Sequence, residues 1–303
     1  MSGNRIQEVL GNRFRRIITN TPDGIPPWLD AVAQGNDAGM FLPTDAPWVV
    51  HSDLATLIGG IRALLVQALH PGSLAGVAQH SRYEQDPLGR LAGTTKWLTI
   101  TTFGSKDAVQ READRVNVMH SRVRGSYVND AGDVVEYQAA QHDLLLWVHI
   151  AFTDSFLATH LLYGWRDIPG GPDHYVKQWS QSVVPIGLTD APESQEELEA
   201  TIARYLSSGT LRVDDRTRQV IGFIQRPPLS WVARRVYALL FQAAVVSLPN
   251  EFRKMLGVRS LPKGLVIPLT RGFLRLMRLG LGPSSPLEDA AKARLTRLGV
   301  LIT

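Results

Sequence analysis

Residues 139–163 read AAQHDLLLWVHIAFTDSFLATHLLY, followed by Gly164. Apolar residues fall on nearly every face of this stretch at helical spacing, and a helix that is apolar all round is a buried one. It is the longest strongly apolar helix the chain predicts, and Gly164 ends it. A single imidazole, His149, sits in its middle within Leu144-Leu145-Leu146-Trp147-Val148-His149-Ile150-Ala151-Phe152. Leaving such a group unpaired costs a few kcal/mol, so it is bonded to something. One reading makes it a core histidine bonded to a side chain or carbonyl. The other makes it an axial ligand to a flat, apolar cofactor. At about 100° per residue, His142, Phe156 and His160 share its face, with Leu145, Phe152 and Thr153 at the edges. That stripe suits a porphyrin face and suits ordinary helix packing equally.

Working outward, residues 53–70 (DLATLIGGIRALLVQALH) predict a second buried helix, capped by Asp53 and stopped at Pro71. A short helix is expected around 73–80, before a turn at Asp86-Pro87-Leu88-Gly89. Residues 88–103 read two ways: the threonines favour extended structure, whereas the apolar spacing allows a buried helix. Ser105-Lys106-Asp107 opens a helix to about Arg124, with Gly125 placed to end it. Asn129-Asp130-Ala131-Gly132-Asp133 signals a turn or hairpin. Further helices are expected over 190–208, with an acidic start, and over 229–247, 269–280 and 285–298. Residues 1–50 carry Pro22, Pro26, Pro27, Pro43 and Pro47 and predict an irregular arm, pinned to the body by Trp28 and Trp48. The rest, 50–303, predicts one large helical domain of the all-α class. Neither a Rossmann glycine fingerprint nor a phosphate-binding loop is present.

The composition is that of a globular chain: 303 residues, 44% hydrophobic, 20% charged and a net charge of +4. Basic residues are scattered, so no nucleic-acid partner is expected. The absence of cysteine excludes thiolate chemistry, iron–sulfur clusters and cysteine-ligated haem. Residues 1–7 lack an apolar leader core and no run of 18 apolar residues occurs, so a soluble, cytoplasmic protein is expected. The basic amphipathic stretch 269–278 leaves room for a weak peripheral contact with a membrane.

The helix before the central one carries the other polar candidates. Arg115 and Met119 are i,i+4 neighbours, whereas His120 lies about 140° around from Arg115. Arg115 reads either as a site residue or as a surface cation paired with Glu112 or Asp114. His142-Asp143 resembles the adjacent pair of metal phosphohydrolases, but partners for that site cannot be assigned. His-Glu-x-x-His and Gly-x-Ser-x-Gly patterns are absent.

Several short motifs, in order, carry a resemblance. They are Gln67-Ala68-Leu69-His70-Pro71, Gly76-Val77-Ala78-Gln79-His80-Ser81, Asp86-Pro87-Leu88-Gly89-Arg90-Leu91, Thr102-Phe103-Gly104, Arg115-Val116-Asn117-Val118-Met119-His120 and Trp147-Val148-His149. Leu248-Pro249-Asn250-Glu251-Phe252-Arg253 follows. Together they resemble the family that holds the bacterial latex-clearing proteins, which are rubber oxygenases, and the fungal oxygenase of mycophenolic acid biosynthesis. The resemblance spans roughly residues 50–250. It implies a globin-like helical core, haem b, and His149 as the proximal iron ligand. It implies Arg115 on the distal side, with His120, typical of the wider family, as the alternative group to stabilise charge developing on molecular oxygen. The helical face of His149 then places Phe152, Thr153 and Phe156 beside the cofactor, and Met119, one turn after Arg115, is expected there too. The substrate implied is a hydrophobic small molecule, isoprenoid or lipid-like. In latex-clearing proteins a lysine and a threonine follow the arginine by one turn; here Val118 and Met119 stand there, which argues against polyisoprene. The alternative is a helical protein that binds haem or an apolar ligand without turnover. The oligomeric state is not read from the chain.

Overall fold

The structure is a computed structural model that describes residues 25–80, 87–129, 132–282 and 284–301. Residues 1–24 of the irregular arm expected over 1–50, and parts of the expected turns at 86 and 130–131, lie outside the described residues.

The described chain is mainly helical, with one two-stranded sheet. In order, the helices are α1 (Leu29–Ala33), α2 (Ala46–Ser52), α3 (Ala55–Gln67), α4 (Pro71–His80), α5 (Pro87–Phe103) and α6 (Lys106–Arg122). The hairpin β1 (Arg124–Val128) and β2 (Val134–Gln138) follows, then α7 (His142–Tyr163) and α8 (Gly171–Ser180). A 3-10 turn (Gln181–Ile186) leads to α9 (Gln195–Ser207), α10 (Asp215–Gln225), α11 (Trp231–Ser247), α12 (Asn250–Leu256), α13 (Lys263–Leu281) and α14 (Pro286–Arg297).

The central apolar stretch is α7, with Trp147, Ile150, Ala151 and Phe156 buried. Its length and hydropathy would let it cross a membrane, but it is mostly buried inside the fold, as a core helix is. Its main partner is α3. The two helices approach closely because Gly59 has no side chain: a Cβ there would lie 2.6 Å from Phe156 Cδ1 and 2.8 Å from Thr159 Oγ1. Arg62 explains the polar interruption in α3. Its guanidinium is buried, donates to Ser155 Oγ at 2.7 Å and faces Asp154 Oδ2 at 2.6 Å. Trp147 Nε1 donates to the Gln67 carbonyl at 3.2 Å. On the other side α11 packs on α3, α13 packs on α11, and Tyr163 donates to the Ala243 carbonyl at 3.1 Å.

A second apolar cluster joins both ends of the described chain. Trp28, Val32 and Trp48 pack with Ile100, Phe103, Leu287 and Leu295, so α14 returns to cover α1, α2 and α5. Trp28 Nε1 donates to Thr99 Oγ1 at 2.8 Å. Two short helices, α1 and α2, therefore lie within the stretch expected to be irregular.

The ambiguous stretch 88–103 is helical. The hydroxyls of Thr99 and Thr102 each donate to the carbonyl four residues back, at 2.7 Å, so the threonines satisfy themselves within the helix. α6 starts as expected on Ser105, whose hydroxyl accepts from Ala108 N at 3.2 Å, but it ends at Arg122. Gly125 instead lies in β1, where a Cβ would meet Gln79 Oε1 at 2.1 Å and Tyr137. Asn129 and Asp133 close the hairpin through Asp133 N to Asn129 Oδ1 at 2.8 Å. The acidic helix begins at Gln195 rather than 190, because Ser194 is the cap and accepts from Glu197 N. α13 begins at Lys263, six residues before the expected start at 269; Pro268 has no N–H to give the Gly264 carbonyl, and both residues are exposed to water.

Candidate functional site

The structure separates the histidines by their partners. His51, at the end of α2, is buried and fully bonded: Nδ1 lies 2.8 Å from Thr102 Oγ1 and Nε2 lies 3.0 Å from Tyr175 Oη. His70 Nε2 pairs with Asp143 Oδ2 at 3.0 Å, and Tyr205 donates to the same carboxylate at 2.7 Å. His142 pairs with Asp190 at 2.6 Å, and His160 Nε2 lies 2.8 Å from the Arg166 carbonyl. The neighbours His142 and Asp143 thus face different partners and form no joint site.

His149 differs from these. It is 5% exposed, and its one polar contact among the described residues is Nε2 to Thr153 Oγ1 at 3.4 Å. Thr153 gives its own proton to the His149 carbonyl at 2.8 Å. The weak contact therefore uses a hydroxyl lone pair and leaves the other ring nitrogen without a partner among the described residues. Burial pushes the imidazole down to about 4, so it is neutral at pH 7 with a lone pair to offer. Among the described residues, no three His, Asp or Glu side chains converge in a way that could hold a bare metal ion. A single neutral imidazole fits a metal that brings its own equatorial ligands, as the iron of haem does. The residues therefore fit that group on the donor side.

On α6, Arg115 is 47% exposed, and its Nε donates to both Glu112 carboxylate oxygens at 3.0 Å. Glu112 is itself buried and also receives Lys96 Nζ at 2.7 Å. Burial pushes its carboxyl up, but the hydrogen bonds from Arg115 and Lys96 outweigh burial and hold it below the usual range. His120 is half-buried, and its Nδ1 is buried without a partner among the described residues. Burial, and then the charge of Arg115, push it down, so it too is neutral at pH 7. Arg115 and His120 thus act on one another electrostatically despite their different directions. Met119 is exposed. α6 packs on α5, the 3-10 turn and β2, and has no extensive packing with α7.

A cavity of about 1600 Å³ lies between α3, α5, α7, α11 and α13. Its wall is mostly apolar, with Leu64, Leu98, Val236 and Phe273 among its residues and the hydroxyls of Thr94 and Thr95 as polar points. Phe152 and Phe156 belong to this wall and meet at 5.8 Å between ring centres. His149 does not line it. The residues expected around one cofactor are therefore divided. Phe152 and Phe156 face the cavity, His149 and Thr153 are buried beside it on the same helix, and Arg115, Met119 and His120 stand on α6. The cavity's other contributors, such as His51, Tyr237 and Phe273, were not anticipated. Their sequence signal is slight: His51 follows the buried run Pro47-Trp48-Val49-Val50, and Phe273 lies on the inner side of α13.

The family described as ER-bound oxygenase mpaB/B'/Rubber oxygenase, catalytic domain, matches residues 48–279. The match covers most of the chain, from α2 to the last turns of α13, and the chain belongs to this family. No curated protein and no solved structure matches it.

Proposed function

We propose that the protein is a cytoplasmic haem b-dependent oxygenase acting on a hydrophobic small molecule, isoprenoid or lipid-like, held in the cavity. The observation that carries this is His149: a neutral, buried imidazole with one long contact, in a chain of the oxygenase family. His149 would hold the group, Thr153 would orient the imidazole through its second nitrogen, and Phe152 and Phe156 would join the ligand helix to the substrate wall. Haem b, when bound, supplies the activation of molecular oxygen.

The other residues provide position, polarity and dryness. Glu112 fixes the guanidinium of Arg115 through two hydrogen bonds, so the cation is held in place on α6. The neutral His120, with Nδ1 unpartnered among the described residues, can accept or donate a proton there. The apolar wall excludes water from a long hydrocarbon chain. The test is oxygen uptake by the hemin-supplied protein with an isoprenoid alcohol. Uptake should depend on hemin, on the alcohol and on His149, and hemin-independent or absent uptake would contradict it.

A second reading is favoured by one observation: His149 is not on the cavity wall. On that reading the protein binds an apolar ligand without turnover. Displacement of a fluorescent fatty acid with no hemin-dependent uptake would support it.

A further inference from the structure

Between residues 216 and 287 the chain holds twelve Lys and Arg residues and one acidic residue, Glu251. The whole chain is only +4, so its remainder is acidic on balance. This basic segment forms most of α10 together with α11, α12 and α13, and α10, α11 and α13 line one side of the cavity.

α13 is divided into three sectors. Val266, Thr270 and Leu274 are buried against the body. Leu265, Leu269, Gly272, Leu276 and Leu279 fall within about 40° of one line at about 100° per residue, and they face solvent; Leu269 is 54% and Leu276 70% exposed. Arg271, Arg275 and Arg278 occupy the third sector, beside the leucines. An ordinary surface helix turns polar residues outward; this one turns leucines outward and arginines sideways.

The same surface reaches the cavity. Exposed Trp165, Val232, Arg275 and Leu279 are among the residues that line it, and so stand at its rim. The guanidiniums of Arg275 and Arg278 lie 5.9 and 5.6 Å from the Trp165 ring centre, which holds that indole beside the opening. Trp231, next to Val232, is 75% exposed. A tryptophan, a leucine stripe and flanking arginines around a mouth have the chemistry of a bilayer interface.

We propose that this face docks on an anionic phospholipid bilayer, with the leucine stripe of α13 in the acyl boundary and the cavity mouth open to the lipid. Charge complementarity selects this occupant. A second copy would bring the same basic face against itself. The segment before residue 25 carries four arginines against Glu8 and Asp23, and so offers no negative surface to cover it. Arg278 is already paired with Asp53 Oδ1 at 2.6 Å, but Arg271 and Arg275 are exposed, so anionic lipid headgroups match these two cations and lipid chains match the leucines. A lipophilic substrate would then enter without crossing water. That last step rests on the oxygenase reading; the docking does not.

The test is sedimentation of the full chain with vesicles of phosphatidylcholine, alone or with about one-third phosphatidylglycerol. We expect binding to the anionic vesicles that weakens with salt, and little binding to the neutral ones. Leu269→Glu with Leu276→Glu should weaken it about tenfold or more. Arg271→Glu with Arg275→Glu, in the arginine sector beside the stripe, should weaken the anionic binding alone. All four side chains are exposed, so both variants should keep the wild-type melting temperature. Failure to bind anionic vesicles, or equal binding by the leucine variant, would overturn the proposal. So would a wild-type dimer that the leucine variant dissociates, because the stripe would then join copies of the chain. Neither haem nor turnover enters this readout, so its failure and that of the oxygenase reading are distinguishable.

Discussion

Thr153 Oγ1 lies one turn beyond His149, 2.8 Å from its carbonyl and 3.4 Å from its Nε2. A threonine bonded back to its own helix is held in one rotamer, so its free lone pairs have a fixed direction toward the ring. Thr153→Val keeps the shape and removes that acceptor. If His149 holds the haem, the variant should bind hemin about tenfold more weakly, and the hemin-free protein should lose about 1–3 kcal/mol because the buried Nε2 loses its acceptor. Unaltered hemin affinity would show that Thr153 does not orient the ring.

The approach of α3 to α7 predicts opposite outcomes at adjacent glycines. Gly59→Ala places a methyl against Phe156 and Thr159 and should cost about 1–3 kcal/mol. At Gly60 a Cβ meets nothing within 4 Å, so Gly60→Ala should stabilise by about 0.5–1 kcal/mol through helix propensity. Urea denaturation of both variants reads the two signs.

The Arg62–Asp154 pair is asymmetric: the guanidinium is buried, whereas the carboxylate is 22% exposed. Asp154→Ala strands a buried charge and should destabilise by about 3 kcal/mol or more. Arg62→Met leaves its unpaired charge at the wetter site and should cost less. Equal losses, or the reverse order, would show that packing rather than desolvation dominates there.

Burial pushes His51 down to about 3, with His160 adding to the effect, and His149 down to about 4. The unfolded chain binds these protons near pH 6.5, whereas the folded chain refuses them. Their contribution to stability is therefore whole above about pH 6.5 and is lost as pH falls toward 4. By pH 5 the two together should cost about 4 kcal/mol. Denaturation between pH 5 and 8 checks this, and His51→Gln should flatten part of the slope.

The fold was legible where one helix carries its own signal. The buried α3 and α7, the cap at Ser105 and the turn residues at 129 and 133 are local features. α5 was ambiguous because threonine's branched side chain favours strands, and only its hydroxyl bonds to the preceding turn make the helix acceptable. α8 and α12 are short with few apolar positions, and α10 starts on a capping box, Asp214 with Thr217, that was overlooked. His149 could be recognised as a buried imidazole needing an explanation. Its separation from the large cavity could not, because the wall combines residues from His51 to Phe273, and no local period records that meeting. Local spacing does offer the Arg115–Glu112 pair, but it does not show that Glu112 is held in turn by Lys96 of α5.

The most direct measurement is a hemin titration of the purified protein followed by its Soret absorbance, for wild type and His149→Ala. We predict one saturable site in the wild type with a sharp band, and a loss of affinity of about a hundredfold or more in the variant. The same band and affinity in His149→Ala, or no band in the wild type, would contradict the assignment of His149 as the haem ligand.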